Sequence, residues 1–152
     1  VVDTREDILA RLLEVVTDIP GMRSVHRNNV DITEDQLPAA VVFDADEETD
    51  DAQDVGMRPP NRPTLVRMTP EIVIAEKTAG QVGSELTALR RELIKRVLTD
   101  AELNEHIVKT GRFGNGAIRY LGCQTDVGWM RSMHGALRAQ FMFKYTLKPD
   151  EL

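Results

Sequence analysis

The stretch Ala136–Leu147, ALRAQFMFKYTL, decides how the rest of the chain is read. Leu137, Ala139, Phe141, Phe143, Tyr145 and Leu147 fall on one side of a two-residue alternation. Arg138, Gln140, Lys144 and Thr146 fall on the other, with Met142 the apolar exception. A period of two over this length is the pattern of a half-buried β-strand. Three aromatics on one side can bury large apolar areas. The strand comes late in the chain, so earlier elements must pair with it and cover it. This predicts a sheet with the strand inside it and helices over one face.

Working outward, the sequence supplies those elements. Asp3 or Thr4 can cap a helix whose stripe is Ile8, Leu9, Leu12, Leu13, Val15 and Val16, and Pro20-Gly21 ends it. Met22–Arg27 is a short strand candidate, and the polar run to Gln36 reads as loop. Ala39–Ala45, AAVVFDA, is a strand by its β-branched pair, with Pro38 at its entrance. Residues 46–63, rich in acids and then prolines, read as a long exposed loop. Leu65–Met68 and Glu71–Lys77 read as one strand interrupted at Pro70 or as two. Ser84 caps a second helix, Glu85–Leu98, with Leu86, Leu89, Leu93, Ile94, Val97 and Leu98 on its stripe. Thr99-Asp100 restarts a short helix through Ile107, and Ala117–Thr125 is a further strand. The expected fold class is α/β (α+β): one domain over 1–152, a mixed, mainly antiparallel sheet with two amphipathic helices packed on one face. The crossover containing the second helix could bring in one parallel pair.

Composition bounds the function classes. A chain of 152 residues can bury about 70% of its unfolded surface as one domain. The single Cys123 excludes an intramolecular disulfide and fits a reducing compartment. No apolar run approaches a bilayer span, and acids with a helix start near residue 3 do not resemble a signal peptide. The net charge of −6 is unevenly divided. Residues 1–54 carry 4 basic and 15 acidic side chains, and residues 55–152 carry 15 and 10. The division is either chance clustering of solvated charge or, on the sharper reading, a protomer with opposite-signed faces, which suit head-to-tail association of copies in a ring.

Tests for chemistry return little. Asp44, Asp46 and Glu48 alternate as in a calcium loop, but Thr49 stands where glycine is required and Val55 where glutamate is. Gly111, Gly114 and Gly116 lack a phosphate-loop ending. His26, His106 and His134 have no metal-ligand spacing, and no serine sits in a nucleophile context. No catalytic, metal or cofactor residue is assigned, and no enzyme is expected. Arg112, Arg119, Arg131, Arg138, Lys144 and Lys148 give the late strands a basic side. Aromatics are not interleaved with them as single-strand nucleic-acid binding requires. An acidic partner, including a neighbouring copy's Asp44–Asp54, would suit that side equally.

Five stretches in order carry a resemblance: LARLLEVV, LPAAVVFDADEE, PEIVIAEK, GSELTALRRELIKRVL and ALRAQFMFKYTL. The chain resembles the tail terminator proteins of long-tailed bacteriophages, the lambda-type minor tail proteins, over nearly its whole length. The resemblance implies a non-enzymatic virion protein of the tail and neck, assembled in the host cytoplasm. It implies a homohexameric ring that caps the tail tube, ends its polymerisation and forms the head–tail joining surface. Implied partners are other copies, the tail tube protein and the head–tail connector or head completion protein. DNA would pass the channel without specific binding, with no cofactor and no membrane. By the same resemblance, Asp46, Glu47, Glu48, Asp50 and Asp51 face the channel or a neighbouring subunit. Arg58 and Arg62 would then contact the next ring or protomer. Separately, the strand pattern makes Arg119, Arg138 and Lys144 the candidates for the basic sheet face. The alternatives are a connector or tail completion protein of the same neck, a non-phage adaptor or binding module, and a small enzyme with a dispersed site.

Overall fold

The computed structural model describes residues 3–49, 63–77, 82–107, 118–127 and 134–152. These residues form an α+β fold with three α-helices and seven strands in one mixed, mostly antiparallel sheet. Helix α1 is Thr4–Thr17; the Asp3 side chain caps it by accepting from the Glu6 N–H at 3.3 Å. Its stripe Ile8, Leu9, Leu12, Val15 and Val16 is buried. Gly21 turns the chain at φ +90°, which favours a residue without Cβ. Strands β1 (Ser24–Arg27) and β2 (Ala39–Phe43) follow, joined through a 3-10 turn at Glu34–Gln36.

Four short strands are two long ones, each interrupted once. Strands β4 (Thr64–Met68) and β5 (Glu71–Lys77) lie along the same edge of β7 (His134–Leu147) in unbroken register, Thr64 opposite Leu147 and Lys77 opposite His134. Both readings of the Pro70 interruption are therefore correct. The proline ends one hydrogen-bonded run, yet its carbonyl accepts from Phe141 N–H at 3.2 Å and keeps the ladder aligned. On the far side, β2 pairs with β5 and β3 (Glu47–Thr49) with β4. Three residues, Asp44–Asp46, face two, Thr69 and Pro70, so β2 and β3 are one arm broken by a one-residue bulge. Ala45 sits in it at φ +56°.

Three expectations are corrected. The predicted loop over 46–63 is a strand at Glu47–Thr49, because pairing to β4 satisfies its backbone whatever its side-chain charge. Residues 50–62 lie outside the described residues. The parallel pair is β1 with β2, joined without an α-helix. The crossover through α2 (Val82–Thr99) and α3 (Ala101–His106) instead joins β5 to β6 (Ile118–Val127), and β7 inserts between those two strands. Finally, α2 begins at Val82, two residues before the expected Ser84 cap. Burial of Leu86, Leu93 and Val97 outweighs the weak local preferences of Val82 and Gly83.

Helices α1 and α2 cover one face of the sheet. Phe141, Phe143 and Tyr145 on β7 are fully buried there with Ile72, Ile74, Val66, Met68, Ala40 and Val42. The Tyr120 ring of β6 packs tilted against Phe141 at 5.6 Å, and Arg90 of α2 lies over the Tyr120 ring. The predicted inner side of the Ala136–Leu147 strand is the observed one.

Candidate interaction surface

The acidic arm is anchored where it leaves the core. Arg27 at the end of β1 donates to both oxygens of Glu6 on α1 and to both oxygens of Asp44 at 2.9 and 3.0 Å. The Arg27 guanidinium holds both carboxyls below their usual range. Its own proton is held more tightly by the same bonds. The Asn28 amide oxygen accepts from the Asp44 N–H at 3.0 Å, and Arg5 donates to the Ala45 carbonyl at 3.0 Å. Helix α1, β1 and the bulge are thus tied at one point. Sequence reasoning missed this cluster: Asp44 reads as one acid of a charged run, and nothing local couples it to residues 17 and 38 positions away. A second clasp joins α1 to α3. Arg11 meets the Asp100 carboxylate at 2.8 and 3.0 Å, while Asp100 also caps α3 by accepting from the Leu103 N–H. Both roles favour the charged form and hold the Asp100 carboxyl below its usual range.

Beyond the bulge, Asp46, Glu47 and Glu48 are all exposed, but they do not share a face. Alternation sends Glu47 toward the helix side, where it accepts from the Tyr145 hydroxyl. Glu48 lies on the open side and pairs with Arg67 at 2.9 Å. The Asp46 carbonyl accepts from Thr69 N–H. Asp50, Asp51, Arg58 and Arg62 fall outside the described residues.

Arg119, Arg138 and Lys144 are brought onto one face, the side of the sheet away from α1 and α2. That face is mixed rather than basic. Arg138 pairs with Glu71 at 3.2 Å and Arg67 with Glu48. Its β1 end bears the 3-10 turn: Glu34 bonds Lys77, and the Gln36 carbonyl accepts from Ser24. Arg112 and Arg131 lie outside the described residues. Where β6 bulges at Leu121, an open cleft of 440 Å³ is lined by Glu71, Gly122, Gln124, Arg138 and Gln140. Its base and acid neutralise each other, leaving amides as the groups that could recognise a ligand.

Among the described residues, no group of three or more His, Cys, Asp or Glu side chains could hold a metal, and no helix is long and apolar enough to cross a membrane. Glu76 is the acid on the helix-covered side of β5. Burial, then the charge of Glu85 on α2, pushes its carboxyl above the usual range. No family model matches the chain, and no curated protein matches it.

Proposed function

We propose that this chain is a structural subunit of a phage tail terminator, assembling as a ring that caps the tail tube and offers a joining surface to the head. The observation that supports this most is the form of the LPAAVVFDADEE stretch. It is one arm of a β-hairpin, clasped to α1 at Asp44 and ending in exposed acids on a strand that is the sheet edge among the described residues. An acidic edge held by a rigid core suits contact with a neighbouring copy, and it repels a nucleic-acid backbone passing by. An adaptor that binds nucleic acid through the sheet face is less well supported, because Arg138 and Arg67 are already paired with acids.

The test is the mass of the purified protein by light scattering, with negative-stain images taken with and without phage tail tubes. A ring of about 100 kDa, six times the 17.1 kDa chain, or caps on tube ends, supports the reading. A protein that stays monomeric and ignores tube ends overturns it.

A further inference from the structure

We propose that copies of this chain join head to tail by sheet continuation, the β3 edge of one copy (Glu47–Thr49) pairing antiparallel with the start of β6 (Ile118–Tyr120) in the next. The inference rests on the ring reading above and specifies its subunit contact. Four features of the sheet carry it.

First, β3 and β6 each pair on one side only among the described residues, so each presents a row of backbone groups to a further strand. Second, the two edges meet at one level of the sheet and run apart from it, β3 toward Tyr145 and β6 toward Phe141. Glu47 is opposite Met68, Met68 opposite Phe143, and Phe143 opposite Ile118. Pairing Glu47–Thr49 with Ile118–Tyr120 therefore takes a shift of two residues between copies, which keeps every side chain on its face. Third, the strand directions alternate across β3, β4, β7 and β6. A second copy in the same orientation therefore sets its β3 antiparallel to β6. Fourth, the lengths match. Beyond Tyr120 the β6 register slips at Leu121, which is 47% exposed, and Gly122 takes φ +142°. Among the described residues the regular edge before the bulge is Ile118–Tyr120, the length of β3.

Charge fits the same arrangement. Asp46, Glu47 and Glu48 make one edge acidic, and exposed Arg119 stands on the other. Glu48, which pairs with Arg67 in its own copy, falls on the same face as Arg119, and the two-residue shift sets the two opposite each other across the contact. A contact between two different edges is heterologous and closes into a ring when the rotation between copies allows.

The test uses Glu48→Cys and Arg119→Cys together in a Cys123→Ser background, oxidised gently and run on a denaturing gel, with each single variant alongside. Melting curves check that each variant folds. A ladder of dimer, trimer and higher species from the double variant, absent from both singles, is the expected result. Dimers formed as readily by Arg119→Cys alone mean that β6 meets β6, which overturns the proposal. No ladder from a protein that still forms rings or caps tubes overturns this contact and leaves the ring reading standing. A ladder without rings or caps supports the contact and removes the terminator reading. Independently, Arg119→Glu should weaken self-association at least about tenfold, and adding Glu48→Lys should restore it. Failure of the second charge change to rescue the first counts against the pairing.

Discussion

The two faces of β7 are built from alternate residues of one strand and do different work. On the helix side, Phe141, Phe143 and Tyr145 are fully buried. On the other side, Arg138 is 57% exposed and held by Glu71 across the strand pair. The first face derives its stability from area removed from water, about 25 cal/mol per Å². The second gains little from its ion pairs, since exposed pairs contribute about 0–1 kcal/mol. The helix-covered face therefore holds most of the fold, and the exposed residues of the open face and of the sheet edges can change with little cost. That separation fits the subunit role proposed above.

The strongest way to break the comparison is Phe141→Ala. The ring is fully buried at the centre of β7 and touches Tyr120, so its removal leaves a cavity and should cost about 3–5 kcal/mol in urea unfolding. A loss under 1 kcal/mol would mean that the centre of the sheet does not organise the core.

Next in size is the clasp. Arg27→Gln leaves Glu6 and Asp44 without their cation and should cost about 1–2 kcal/mol at pH 7. Both carboxyls are held below their usual range, so their contribution is present above an unfolded pKa of about 4 and lost as pH falls through the folded values. The gap between native protein and variant should narrow on going from pH 7 to pH 3. A gap of equal size at both would assign the loss to packing of the arginine stem instead.

How much of this was legible in the sequence follows the same division. The inner face announced itself, because burial imposes a period that residues must obey. ALRAQFMFKYTL and the α1 stripe were placed correctly for that reason. The acidic arm was not, because β3 is satisfied through backbone pairing to β4 and its exposed side chains carry no strand signal. The Arg27–Glu6–Asp44 clasp joins three segments whose proximity exists only once β1 and β2 pair in parallel. The open face was legible only in part. Its bases were visible, but the cross-strand acids that pair with them depend on register, which periodicity alone does not give.

A smaller effect is expected at the bulge. Ala45 holds φ +56°, a conformation that disfavours any residue with a Cβ. Ala45→Gly removes that penalty while adding freedom to the unfolded chain, for a net gain of about 0.5 kcal/mol. Thermal melting checks it. A loss of stability would show that the bulge geometry is fixed by Arg5 and Asn28 at no local cost.

A last effect of similar size sharpens the comparison most, because it concerns a half-buried acid on the helix-covered face. Glu76 continues the row of Ile72 and Ile74 and meets Glu85 on α2. Its folded pKa is raised, first by burial and then by that neighbour. The folded state therefore binds its proton more tightly than the unfolded chain does. The resulting stability is complete below an unfolded pKa of about 4.3 and lost as pH rises through the folded value. At neutral pH the ionised side chain is a net cost, so Glu76→Gln should stabilise by about 0.5 kcal/mol at pH 7 and by nothing near pH 4. Glu85→Gln should recover part of that gain by removing the neighbouring charge. Equal effects of Glu76→Gln at both pH values would mean that the amide gains a contact of its own, and the charge would then carry no penalty on the covered face.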